Sequence, residues 1–166
     1  MSKRIKSRWG IKLVFNPDFA KILLQILGLT ARVFIGEDME KKKVLVIDDE
    51  EHIANMIKMR LEYAGEYEVK TLFDASDIVN KVRAFRPDVI LLDLLMPDIG
   101  GLEVCRRLND DPIAYTIPII VVSALSKDID KLKAYKLGII DYIVKPFDAP
   151  ALIAAIEKAI KAKRGE

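Results

Sequence analysis

Val44-Leu45-Val46-Ile47-Asp48-Asp49 is a run of four apolar residues that ends abruptly on two carboxylates. The pattern recurs three times: Val89-Ile90-Leu91-Leu92 ends on Asp93, Ile119-Ile120-Val121-Val122 on Ser123, and Tyr142-Ile143-Val144 on Lys145-Pro146. A short, wholly apolar run closed by polar residues is the pattern of a strand covered on both faces, as in a parallel sheet. Parallel sheets collect their ligands at the carboxyl ends of the strands. Three carboxylates, one hydroxyl and one amine are therefore expected on one edge of one sheet. That set suits a divalent cation and a phosphoryl group.

Helical patterns fill the gaps. Residues 50–64 carry Ile53, Met56, Ile57 and Leu61 on one stripe, and residues 74–85 carry Ile78, Val79, Val82 and Phe85. Arg86-Pro87 stops the second, because the residue before proline avoids the helical region. Further helices are expected over 101–108, over 128–137 ending at Gly138, and over 148–163 with Asp148 as cap and Pro150 in the first turn. Strands are expected over 44–47, 67–72, 88–93, 117–123 and 139–144. Residues 67–72 have the more mixed composition of a sheet edge. Five βα units in succession predict an α/β domain with a parallel sheet and helices on both faces.

The chain has 166 residues, 51% apolar and 31% charged, enough for one sizeable core. A net charge of +2 gives no support to nucleic-acid binding. One cysteine excludes an internal disulfide and fits a reducing compartment. One cysteine and one histidine together cannot build a zinc site of the usual kind. No glycine-rich loop of the Walker or dinucleotide type occurs.

Residues 1–40 differ from residues 41–166 and are expected to form a basic and apolar extension with room for one helix. Seven Lys/Arg there face Asp18, Glu37, Asp38 and Glu40. Residues 19–27 are nearly all apolar, yet the run is too short to span a bilayer comfortably and Arg32 interrupts any longer one. A signal peptide is disfavoured by the long polar lead-in and Asp18. Two readings remain: translation starting at Met39, or a helix that packs on the domain, a membrane surface or a second copy.

The chemistry follows from the residue types. Asp48, Asp49 and Asp93 repel one another unless a cation sits among them, and Mg²⁺ takes one or two carboxylates and keeps several waters. A free Asp93 oxygen is then a nucleophile for phosphorus. Lys145 can pair with one phosphoryl oxygen as a compact charge, and Ser123 can donate to another. Taken singly, each has a duller reading: an aspartate at a strand end is often a turn former. Their joint occurrence at successive strand ends favours the site. Glu50 and Glu51 read as first-turn helix acids, His52 as a surface residue and Cys105 as a small core hydrophobe.

Residues 43 to about 163 resemble a receiver domain of two-component response regulators. The resemblance rests on Val44–Glu50, on Pro87-Asp88-Val89 through Pro97 with Gly101-Leu102-Glu103, on Ile117 through Ala124, and on Gly138 through Phe147. It implies a flavodoxin-like, doubly wound, five-stranded parallel sheet in the order 2-1-3-4-5. It implies Asp93 as phosphoacceptor, Asp49 as a direct Mg²⁺ ligand, Asp48 acting largely through water, and the Leu95 carbonyl as third protein ligand. Lys145 and Ser123 would contact the phosphoryl group. Tyr142 would be the switch aromatic, turning inward as Ser123 moves toward the phosphate. The implied donor is a phosphohistidine on a sensor histidine kinase or histidine phosphotransfer protein. The output would pass from the fourth helix, fifth strand and fifth helix to a downstream protein. Further expectations are a cytoplasmic location, no direct DNA binding, a phosphorylation-linked homodimer, and no enzymatic activity beyond self-phosphorylation and autodephosphorylation.

The alternative function is a phosphorelay intermediate that passes the group to a histidine phosphotransfer protein. A phosphatase of the haloacid dehalogenase type is disfavoured because its second acid would fall at Leu95. An interaction module that no longer takes phosphate is disfavoured by the intact acids, Ser123 and Lys145. Two departures from the family pattern stand out. Ile139-Ile140 replace small residues and should crowd the switch region. Leu95 and Leu125 replace polar residues and should hinder an attacking water, giving a long-lived aspartyl phosphate.

Overall fold

The structure, a computed structural model, describes residues 41–164. The readings made of residues 1–40 lie outside the described residues. Five strands alternate with five helices: β1 (Lys42–Ile47), α1 (Glu51–Tyr63), β2 (Tyr67–Leu72), α2 (Ile78–Phe85), β3 (Val89–Leu92), α3 (Gly101–Asn109), β4 (Ile119–Ser123), α4 (Asp128–Lys136), β5 (Asp141–Val144) and α5 (Ala149–Arg164). A 3₁₀ turn, Ala114–Thr116, precedes β4.

All pairings are parallel, and the strand order is β2-β1-β3-β4-β5. This is the flavodoxin-like order, with β2 at an edge as its polar composition predicted. Along β2 the alternation is clear: Tyr67 and Val69 are buried while Glu68 and Lys70 are exposed. Charges on an edge strand discourage pairing with another chain.

The period-2 geometry of strands divides the core in two. Leu45, Ile47, Ile90, Leu92, Ile119 and Val121 point to one face, where α2, α3 and α4 bring Ile78, Val82, Val104, Cys105, Leu108 and Ala134. Val44, Val46, Val89, Leu91, Ile120 and Val122 point to the other, met by Ala54, Ile57 and Leu61 of α1 and by Leu152, Ile156 and Ile160 of α5. Every residue of β3 and β4 is buried, which is why both runs are uniformly apolar up to their final polar group. Burial also pushes the Cys105 thiol up to about 11, as befits a packing residue.

The local signals explain the element ends. Asp148 caps α5 through a 2.7 Å hydrogen bond from the Ala151 amide. Gly138, at φ +78°, takes the left-handed conformation that closes α4. Arg86, ahead of Pro87, leaves the helical region at φ 53°. The second helix differs from expectation: it begins at Ile78, not at residue 74. Asp74 accepts a 2.8 Å hydrogen bond from the Ser76 amide, closing a turn, and Asp77 sits at φ 51°, outside the helical region. Strands β4 and β5 likewise start two residues later than expected, at Ile119 and Asp141. Among the described residues no helix is long and apolar enough to cross a membrane.

Candidate functional site

Strand register assembles the site. Ile47 of β1 pairs with Leu92 of β3, so the next residues, Asp48 and Asp93, emerge side by side. On the other flank Ser123 of β4 pairs with Val144 of β5, and Lys145 follows directly. The Asp93 amide donates to the Ile47 carbonyl at 2.9 Å and the Lys145 amide to the Ser123 carbonyl at 2.9 Å. The side chains therefore leave from backbone held rigidly by the ladder.

Both oxygens of Asp93 are engaged. Oδ1 accepts from the Ser123 hydroxyl at 2.6 Å and from the Leu95 amide at 2.9 Å. Oδ2 accepts from Lys145 Nζ at 2.7 Å. The same ammonium donates to Asp48 Oδ2 at 2.7 Å and to Glu50 Oε1 at 3.3 Å. Asp48 Oδ1 accepts from the Glu50 amide at 3.0 Å. Asp48, Asp93 and Ser123 are buried.

These contacts set the electrostatics. Burial by itself would lower the Lys145 ammonium, but its hydrogen bonds to Asp48 and Asp93 outweigh that and lift it to about 12. Burial raises Asp48 above the usual carboxylate range, against the pull of Lys145. Lysine is thus charged at neutral pH, and the acids around it carry more negative charge than it cancels.

The oxygens of Asp48, Asp49 and Asp93 can come within 4.8 Å of one another. Asp49 Oδ1 is buried without a hydrogen-bond partner. An orphaned carboxylate oxygen facing two further carboxylates is an oxygen-only donor set, the kind a hard divalent cation takes. The residues fit such an ion.

Tyr142 stands on β5, beside the strand that ends on Ser123. The Tyr142 hydroxyl donates to the Leu125 carbonyl at 2.7 Å, and its ring packs against the core of the α2–α4 face. Burial raises its pKa, helped by Asp130. After Gly138, Ile139 is buried, whereas Ile140 is 42% exposed. Leu95 lies on the rim, 51% exposed, and Leu125 is half-buried. The Lys145-Pro146 bond is cis.

Two participants were not evident from the sequence. Glu50 reads as a helix acid, yet its carboxylate meets Lys145, ninety-five residues away. Gly101 reads as a helix start, yet it lies against the backbone of Asp93 and Leu94. A Cβ there would fall 2.7 Å from Leu94 Cα and closer still to the Asp93 carbonyl oxygen.

Known proteins bear on this arrangement. The family described as "Response regulator receiver domain" matches residues 44–157. Chemotaxis protein CheY4 of Vibrio cholerae is 28% identical over 72% of this chain and 98% of its own, with a TM-score of 0.67. The signal receiver domain of a signal transduction histidine kinase from Syntrophus aciditrophicus is 29% identical over 73% of this chain and 91% of its own, with a TM-score of 0.66. A CheY-like response regulator receiver domain protein from Methanospirillum hungatei shares the fold at a TM-score of 0.70 and 23% identity, over 76% of this chain and 98% of its own. With the match extending from β1 into α5, the chain belongs to the response regulator receiver domains of two-component signalling.

Proposed function

We propose that this chain is a phospho-accepting switch in which Asp93 takes a phosphoryl group from a phosphohistidine on a sensor histidine kinase or histidine phosphotransfer protein. The reading rests on one observation: Asp93 is gripped from opposite sides by Ser123 and Lys145, beside a pair of further carboxylates. In the transfer an Asp93 oxygen bonds to phosphorus as the N–P bond of the donor breaks. The imidazole leaves with the electron pair and takes up a proton from solvent. Phosphoryl transfer needs in-line placement and charge neutralisation more than covalent chemistry.

Asp48, Asp49 and Asp93, with the Leu95 carbonyl, would hold Mg²⁺. When bound, the ion would cancel charge between the carboxylates and the incoming phosphoryl oxygens. Lys145 would donate to one phosphoryl oxygen and Ser123 to another. With Ser123 held there, Tyr142 packs inward beneath it. That state would be transmitted through α4, β5 and α5 to a downstream protein target. Ile129, Leu132 and Tyr135, spaced three apart and exposed on α4, supply apolar surface for such a contact. No direct DNA contact and no enzymatic turnover beyond self-phosphorylation and dephosphorylation belong to this reading. It puts the protein in the cytoplasm, where phosphorylation-linked pairing with a second copy is a further part of it.

Incubation with Mg²⁺ and acetyl phosphate, followed by intact mass measurement, tests it. A phosphate-sized gain is expected in the native chain and is expected to vanish in Asp93→Ala. Labelling that survives in Asp93→Ala removes the assignment.

A further inference from the structure

We infer that Glu50 is a positioning residue: it holds the Lys145 ammonium at the site before phosphorylation and gives it up when a phosphoryl oxygen arrives. This rests on the phospho-acceptor reading of Asp93. An ammonium has three donors, and each finds a carboxylate: Asp48 and Asp93 at 2.7 Å, Glu50 at 3.3 Å. Lys145 therefore has no donor left for an incoming phosphoryl group until one partner lets go.

The weakest partner is Glu50. Its contact is the longest, and its side chain is 50% exposed against 3% for the other two. Its backbone nevertheless fixes where it stands. The Glu50 amide is held by Asp48 Oδ1, and the Glu50 carbonyl accepts the first bonds of α1 from Ile53 and Ala54. The carboxylate thus starts from a rigid base at the mouth of the site. Its second oxygen lies 3.9 Å from His52 Nε2, on the solvent side.

Charge supplies the consequence. Asp48, Asp49, Glu50 and Asp93 set four carboxylates against one ammonium. A divalent cation would still leave a surplus of negative charge facing an anionic donor. Glu50 is the one acid in that group outside the Asp48, Asp49 and Asp93 cluster. Removing its charge weakens its hold on one donor of Lys145 and abolishes the surplus.

The test compares full-length wild type, Glu50→Gln and Glu51→Gln, labelled with acetyl phosphate and Mg²⁺ at low and high salt. In the reaction an Asp93 oxygen bonds to phosphorus and acetate leaves with the electron pair. Glu50→Gln is expected to label about threefold faster or more at low salt, because a nearby negative charge is gone. The advantage should shrink at high salt as screening removes the repulsion. Glu51→Gln changes the net charge equally but has no side-chain partner among the described residues, and should stay near wild type. Equal rates in wild type and Glu50→Gln overturn the inference while leaving the phospho-acceptor reading intact. So does equal acceleration by Glu51→Gln. A wild type that takes no label overturns both. A readout free of phosphate is the Lys145 ammonium signal in ¹⁵N-lysine NMR of the metal-free protein. It is expected to exchange faster with water in Glu50→Gln, and an unchanged signal counts against the inference.

Discussion

Lys145 and Asp93 follow strands that do not touch, since β4 separates β3 from β5, yet Lys145 Nζ lies 2.7 Å from Asp93 Oδ2. The same nitrogen reaches Asp48, so one cation bridges acids from β1 and β3. Removing it leaves two buried carboxylates facing each other. Breaking a buried ion pair costs roughly 3–5 kcal/mol when the remaining charge stays. Here part of the loss is relieved by protonation of Asp48, whose burial already favours the neutral form. Lys145→Met is therefore expected to lose about 2 kcal/mol in urea unfolding at pH 7 without metal, and less at pH 5. An identical loss at both pH values would show that the acids are not the cause.

Asp49 carries the opposite liability. Its buried Oδ1 has no partner, and an unmade hydrogen bond at a buried acceptor costs about 1–3 kcal/mol. In chelator, Asp49→Ala is expected to be more stable than wild type by about 1 kcal/mol. Adding Mg²⁺ should raise the wild-type unfolding temperature by mass action and leave Asp49→Ala nearly unmoved. Thermal scans with and without MgCl₂ decide the matter. The same Mg²⁺ shift in both proteins would remove Asp49 from the cation site.

Gly101 is a packing constraint on the site itself. A methyl group there collides with backbone, which cannot swing aside as a flexible side chain would. Overpacking of this kind costs about 1–3 kcal/mol. Gly101→Ala is expected to lose that much in urea unfolding and to label more slowly with acetyl phosphate, because the displaced atoms belong to Asp93 and Leu94. A variant with unchanged midpoint and labelling rate would show that α3 can slide away freely.

These cases mark what was legible in the sequence. The sheet and the convergence of Asp48, Asp93, Ser123 and Lys145 were readable because fully buried strands cannot carry polar residues before their ends. Parallel pairing then puts those ends on one edge. The sheet edge at β2 was readable from Glu68 and Lys70. The start of α2 was not, because Asp74 and Asp77 look like first-turn helix acids until the turn at Ser76 is seen. Glu50 has the same ambiguity, and its contact with Lys145 depends on two loops meeting in space. Gly101 gives no signal in sequence that its missing side chain matters. The link of α5 to the strand starts, through Lys42, Tyr67 and Glu157, joins residues up to 115 positions apart and has no local pattern.

That link gives a pH prediction. Glu157 Oε1 accepts from Lys42 Nζ at 2.6 Å and from the Tyr67 hydroxyl at 2.6 Å, and these bonds hold its carboxyl below the usual glutamate range. A depressed folded-state pKa adds stability above the unfolded value, and that stability is lost as pH falls through the folded value. The side chain is about a third exposed, so solvent screening keeps the contribution to about 1 kcal/mol or less. Glu157→Gln should be less stable than wild type at pH 7, with the gap closing as acid protonates Glu157. Urea midpoints across pH 7 to 3 measure it, and a gap that widens in acid would be the wrong sign.

Leu95 is expected to govern how long an aspartyl phosphate at Asp93 would last. Its amide is tied to Asp93 Oδ1 at 2.9 Å, so its side chain leaves the backbone two residues from Asp93. That side chain is 51% exposed, and Leu125, two residues after Ser123, is half-buried. Hydrolysis of an aspartyl phosphate needs a water in line with the bond that breaks. A polar side chain can hold such a water, whereas leucine offers no hydrogen bond. Leu95→Asn is therefore expected to shorten the lifetime of the aspartyl phosphate several-fold, an amount on the order of 1 kcal/mol in barrier height. Loss of label from pre-phosphorylated protein after removal of the donor gives the rate directly. An unchanged decay in Leu95→Asn, with urea stability also unchanged, would mean that water reaches the phosphorus by a path these leucines do not line.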